Sequence, residues 1–198
     1  MIIIRHRVNT SKELKKVSKN FGVEIDLRSN NKDIYLHHDP FKKGELFKNW
    51  IKSFKHKIIV LNVKEEGLEK KIINILSFNK KIKYFFHDQT FSTLLKNMSH
   101  TNVSIRYSEY EELKNKKKLF KKIKWIWIDH FTKFTLDKKF YKFLKKNKTK
   151  IAIVSPELVN IRHVSKIKKL IKILKSRKYN IDAVCTKKPN LWKNLISN

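Results

Sequence analysis

A chain of 198 residues with 40% hydrophobic content, 33% charged residues and a formal net charge of +31 carries enough apolar side chain for one sizeable core, so a single domain over residues 1–198 is expected. Its one cysteine, Cys185, excludes an internal disulfide and a metal site built from thiolates alone, which fits a reducing compartment. The opening apolar run is too short for a signal-peptide core, and no apolar run approaches the ~20 residues of a membrane span, so the expected location is cytoplasmic.

In chain order, short apolar and β-branched stretches alternate with amphipathic ones. Strands are predicted at 2–6, at 23–27 with an extension over 33–38, and at 57–63, 82–88, 103–108, 125–130, 150–156 and 181–186. Between them, Leu, Ile and Phe recur at helical spacing over 11–21, 44–54, 67–78, 90–98, 110–123, 137–147 and 164–177. A β-α unit repeated about eight times predicts an α/β protein with a parallel sheet covered by helices, and eight units make a compact (β/α)8 TIM-type barrel. No glycine-rich phosphate loop follows the first strand, which argues against an open dinucleotide-binding sheet.

The charge has two readings. A basic surface of this size would bind nucleic acid in a salt-sensitive way. Yet arginine stands only at positions 5, 7, 28, 106, 162 and 177, and the lysines cluster within predicted helices, interleaved with Leu, Ile and Phe. That pattern describes a solvated outer face, so a dedicated nucleic-acid surface is not expected, while attraction to acidic substrates or to an anionic membrane is.

Nearly every predicted strand starts apolar and ends polar: His6 and Arg7, Glu24 and Asp26, Asn62 and Lys64, His87 and Asp88, Arg106 and Ser108, Asp129 and His130, Ser155 and Glu157, Thr186. In a barrel the carboxyl ends of all strands meet at one mouth, so these residues would converge on one pocket. Strand alternation puts Glu24, Asp26 and Arg28 on one face of "VEIDLR". Two carboxylates turned inward repel and lose solvation, a cost that a hard divalent cation such as Mg²⁺ or Ca²⁺ relieves; a salt bridge to Arg28 or Lys64 is the alternative. His6 and one of His37 and His38 flank this pair in a barrel, and two imidazoles on opposite sides of a scissile bond can accept one proton and donate another.

The segments "HRVNT", "VEIDLRSNNKDIYLHHDP", "LNVK" and "DAVCTKKPNLW" resemble the glycerophosphodiester phosphodiesterase family in order, spacing and strand placement. The resemblance implies a (β/α)8 barrel that hydrolyses small-molecule phosphodiesters with a divalent metal and two catalytic histidines. It matches His6 and His38 to the histidines, Arg7 and Lys64 to phosphate-contacting cations, and Glu24 and Asp26 to metal carboxylates, and it places Trp192 in the closing motif. Three positions depart from the family pattern. Val8 replaces a glycine, the glutamate before Asn9-Thr10 is missing, and Asn62 stands where the family has a third metal carboxylate. Asn62 is therefore expected as a neutral metal ligand, with His37, Asp88, Arg106, Asp129 and Glu157 as further pocket candidates. A barrel that binds a phosphorylated or acidic ligand without turning it over is the competing reading, and a basic nucleic-acid-binding protein the third.

Overall fold

The computed structural model describes residues 1–30, 32–159 and 164–197, without the side chains of 114–117. Its elements in chain order are β1 (Ile2–Arg5), α1 (Ser11–Lys16), β2 (Gly22–Ser29), β3 (Ile34–Leu36), β4 (Glu45–Leu46), α2 (Phe47–Trp50), β5 (Ile59–Val63), α3 (Glu69–Leu76), β6 (Tyr84–His87), α4 (Phe91–Asn97), β7 (Ser104–Tyr107), β8 (Trp125–Ile128), α5 (Lys138–Lys146), β9 (Lys150–Val154), α6 (Pro156–Val159), α7 (Lys166–Ser176), β10 (Ala183–Thr186) and α8 (Pro189–Ser197). Every predicted strand is present. The predicted helix over 110–123 forms instead as a 3-10 helix over Lys114–Lys121. The chain divides into two compact units, one of Arg5–Val103 and one of Met1–Ile4 with Ser104–Asn198.

In the Arg5–Val103 unit, β2, β5 and β6 run parallel in that order, and β3 and β4 fold back antiparallel on the end of β2. β5 is buried along its whole length, as expected for a central strand of a parallel sheet. Buried side chains of the helices complete the core: Leu14 of α1, Phe47 and Trp50 of α2, Ile72 and Leu76 of α3, and Leu94 of α4. Thr10 and Glu13 start α1 with a reciprocal capping box, so the chain leaves β1 and turns sharply before the helix.

The predicted helix over 44–54 is replaced at its start by β4, because Gly44 passes directly over β3. A Cβ at Gly44 would collide with the Leu36 backbone oxygen. Gly44→Ala is expected to destabilise the protein by about 1–3 kcal/mol through this overpacking, read as a lower urea midpoint with an unchanged slope. An unchanged midpoint would show that the β3–β4 hairpin opens without cost.

In the other unit the strand order is β1-β10-β9-β8-β7, with β10, β9, β8 and β7 parallel to one another. α7 shows how the lysine-rich sequence folds: Ile167, Leu170, Ile171 and Leu174 are buried at helical spacing, while Lys168, Lys169, Lys172 and Lys175 are exposed. The lysines within 114–117, expected on the same kind of solvated face, lie outside the described side chains. α8, which the periodicity alone did not reveal, starts at Pro189, whose missing N–H costs nothing at a first helical position.

His130, just after β8, is 8% exposed, and neither ring nitrogen has a hydrogen-bond partner among the described residues. Burial pushes its pKa down to about 4, against the pull of Glu109 and Glu157. The unfolded chain therefore binds a proton between pH ~6.5 and ~4 that the folded chain refuses, so stability is complete above that window and falls as pH drops through it. The loss attributable to His130 is on the order of 2–3 kcal/mol. Denaturant titrations from pH 7 to pH 4 should show a steeper loss for the wild type than for His130→Phe. Parallel pH dependences would assign the acid sensitivity to other groups.

Candidate functional site

Glu24 and Asp26 lie together in the Arg5–Val103 unit. They alternate on β2 and are 1% and 0% exposed, and register aligns Asp26 with Asn62 of β5 and Asn62 with His87 of β6. The Asn62 carboxamide donates from Nδ2 to Glu24 Oε1 at 2.8 Å. Its Oδ1 is left buried without a hydrogen bond among the described residues, as is Asp26 Oδ1.

The loop after β1 wraps this row. Arg7 has φ +51°, a left-handed conformation uncommon for a side-chain-bearing residue. In it, the Arg7 N–H donates to Glu24 Oε2 at 2.7 Å while its Nε stands 3.7 Å from Asp26 Oδ2. Val8 follows with its N–H on the Glu24 backbone oxygen at 2.8 Å. It is not among the positive-φ residues, so the backbone does not require glycine there. His6 Nε2 lies 3.8 Å from Glu24 Oε2. Asn9 is a site residue that the strand-end pattern missed. Its Nδ2 donates to Asp26 Oδ2 and its Oδ1 accepts the Asp26 backbone N–H, both at 2.9 Å. No spacing signal marks it, because its partner lies 17 residues away on β2.

Of the two cations weighed as partners for the carboxylates, Lys64 is the one present: its Nζ is 3.5 Å from Asp26 Oδ1 and 3.3 Å from Asp88 Oδ2. Asp88 has φ +64°, a second left-handed residue at a strand end. Arg28 turns elsewhere, donating from Nε and Nη2 to the His38 backbone oxygen at 3.1 and 2.9 Å. It thereby fixes the loop that carries the histidines. In that loop His38 Nδ1 meets Asp39 Oδ1 at 2.7 Å, and the bond holds the Asp39 carboxyl below its ordinary pKa. His37 instead accepts the Asp39 backbone N–H on its Nδ1 at 3.0 Å, and its own backbone N–H reaches the Asp26 oxygen at 3.2 Å.

Electrostatically the pair is poised. Burial first, and the neighbouring Asp26 carboxylate second, push the Glu24 carboxyl up to about 7, against hydrogen bonds from Asn62 and the Arg7 backbone and the charge of Lys64. Two carboxylates, an unpartnered carboxamide oxygen and cations held beyond hydrogen-bond distance from Asp26 make a set of hard oxygen donors in which added positive charge is favourable. Among the described residues no three His, Cys, Asp or Glu side chains group as a metal site. Glu24, Asp26 and the Asn62 oxygen are the oxygen donors of this row that could hold a cation.

The remaining candidates belong to the other unit. Arg106 Nε is 3.4 Å from Asp129 Oδ2 and 4.0 Å from Glu111 Oε2. Glu157 is 4% exposed and accepts hydrogen bonds from Ser155 Oγ, Thr186 Oγ1 and the Lys187 N–H. Trp192 is fully buried and donates from Nε1 to Ser155 Oγ at 2.7 Å. These bonds tie α8 to the ends of β9 and β10.

No family model and no curated protein sequence matches the chain. Solved structures do. A glycerophosphodiester phosphodiesterase from Thermotoga maritima is 18% identical, with a TM-score of 0.71 and 98% of each chain covered. A phosphodiesterase of Oleispira antarctica, solved with the product sn-glycerol-3-phosphate, is 15% identical with a TM-score of 0.74, covering 100% of this chain and 97% of that one. A glycerophosphodiester phosphodiesterase from Agrobacterium tumefaciens is 10% identical with a TM-score of 0.69, covering 98% and 99%. The chain has the fold of these proteins, the (β/α)8 TIM-barrel fold expected from its strand and helix alternation.

Proposed function

We propose that the protein hydrolyses phosphodiesters, glycerophosphodiesters first among them, with His6 and His38 as its acid–base pair. The observation that carries this reading is the buried Glu24–Asp26 pair with Arg7, Lys64 and His6 around it, in a fold shared with several glycerophosphodiester phosphodiesterases. Arg7 and Lys64 bring positive charge to a phosphate that enters beside the carboxylates, and their pull strengthens as phosphate charge grows in the transition state. Asp39 at His38 Nδ1 orients the ring and leaves Nε2 for the substrate, which supports His38 as the group that takes a proton from the attacking water or substrate hydroxyl. His6 Nε2 stands 3.8 Å from Glu24 Oε2, beside the carboxylate pair, which supports His6 as the second member of the acid–base pair, the donor to the leaving alcohol. A divalent cation, Mg²⁺ or Ca²⁺, held by Glu24, Asp26 and the Asn62 oxygen would supply Lewis-acid charge to a nonbridging phosphate oxygen when bound.

The test is a hydrolysis assay over a panel of glycerophosphodiesters, with Mg²⁺ or Ca²⁺ and with chelator. Release of glycerol phosphate that chelator abolishes and either metal restores is the expected result. Asn62 favours one second reading, a barrel that binds a phosphorylated ligand without turnover, because its amide nitrogen already satisfies Glu24. Saturable binding of sn-glycerol-3-phosphate with no hydrolysis of any diester would establish that second reading.

A further inference from the structure

The loop that carries His37, His38 and Asp39 continues into Pro40–Lys43, where the surface changes character. Phe41 is 99% exposed and has φ +58°. Its ring stands clear of the protein from a backbone conformation that side-chain-bearing residues rarely adopt. A fully hydrated Phe forfeits the burial energy such a side chain normally contributes, and nothing among the described residues covers it. Lys42 and Lys43 follow it, both exposed. The nearby acids are paired: Asp39 meets His38 Nδ1 at 2.7 Å, Glu65 accepts from Ser29 and Arg28, and Glu45 from Ser11. The tip is also held firmly at its base, where Gly44 lies against the Leu36 backbone and β3 pairs with β4. Behind it opens a cavity of about 740 Å³ whose walls include Arg28, Tyr35, Phe41, Lys42 and Lys43.

A solvated lysine face explains cations but not a projecting ring. An aromatic ring flanked by ammonium groups matches the boundary of an anionic bilayer, where the ring enters the acyl region and the lysines meet lipid phosphates. The geometry points to Pro40–Lys43 as a membrane-docking tip that seats the protein on anionic lipid surfaces, with the histidine loop held beside that surface. The net charge of +31 adds a diffuse, salt-screened attraction to the same surface. The inference rests on the tip and not on the phosphodiesterase reading.

The experiment is co-sedimentation of the full chain at near-physiological salt with vesicles of equal parts phosphatidylcholine and phosphatidylglycerol. Phe41→Ser, which leaves charge unchanged, should lower the partition coefficient roughly tenfold, the loss expected from one buried Phe. Lys42→Ser with Lys43→Ser should lower it by a similar factor. Lys168→Ser with Lys172→Ser, which removes the same charge from the exposed face of α7, should change it less than twofold. The native tryptophans are all at most 4% exposed, so Phe41→Trp adds one solvent-exposed fluorophore. Its emission should shift to the blue on vesicles and be quenched by lipids spin-labelled in the acyl chain. His6→Ala should bind vesicles like the wild type, which separates this inference from any failure of the catalytic one. Unchanged binding of Phe41→Ser, equal losses from both lysine pairs, or emission of the Phe41→Trp variant that the spin-labelled lipids leave unquenched would overturn the proposal. So would tip variants that keep vesicle binding and lose binding to duplex DNA.

Discussion

Substituting alanine for His6 or for His38 is expected to lower kcat on a glycerophosphodiester by about 10²–10⁴-fold, the range for a positioned acid–base residue. The midpoint of thermal unfolding should stay within a few degrees of the wild type for His38→Ala, whose side chain is 40% exposed, and should fall somewhat further for His6→Ala, whose side chain is 18% exposed. The double variant should be little worse than the weaker single one, since both residues serve one proton-transfer sequence. Asp39→Asn should cost less, about tenfold, and should move the pH profile of kcat, because Asp39 acts only through the His38 ring. An active double variant would refute the two-histidine mechanism, and a single variant that loses activity together with its fold would return that histidine to a structural role.

Asn62→Asp should produce two opposed effects at one position. Without divalent metal, a third carboxylate replaces the amide that donates to Glu24 Oε1 and faces a carboxyl already pushed up by burial and by Asp26. Stability in chelator is expected to fall by about 2–4 kcal/mol, the scale for breaking a buried hydrogen bond and adding an unpaired buried charge. With metal, the same carboxylate adds a charged oxygen ligand, and affinity for Mg²⁺ and Ca²⁺ should rise at least tenfold. Calorimetric titration and thermal unfolding with and without chelator read both effects. Asn62→Glu should behave alike. Turnover need not rise, since a third carboxylate also weakens the pull of the cation on phosphate. If both variants leave metal affinity unchanged while Glu24→Gln removes it, Asn62 is not a ligand.

The strand and helix alternation was readable because each β-branched run and each amphipathic stretch is locally consistent with its final state, as the buried Ile167, Leu170, Ile171 and Leu174 of α7 illustrate. The misreadings fall where hydrophobic spacing did not decide the conformation. Residues 44–54 carry helical spacing, yet the close passage of Gly44 over Leu36 converts their start into β4, a contact between segments that no periodicity encodes. Lys114–Lys121 winds as a 3-10 helix where its spacing predicts an α-helix.

By itself the sequence determined that Glu24 and Asp26 share a face of one strand, since side chains alternate with a period of two, and that the strand ends are polar. Tertiary structure decided which groups answer those carboxylates. Register across β2 and β5 brought Asn62 to Glu24, the turn at Arg7 brought Asn9 and the Arg7 N–H, and Lys64 rather than Arg28 came to Asp26. It also placed Arg106, Asp129, Glu157 and Trp192 in networks of the other unit. The physical reason is that hydrogen-bond partners of buried charge are chosen by through-space distance, which depends on pairing register and loop conformation, whereas burial and alternation depend on near neighbours in the chain.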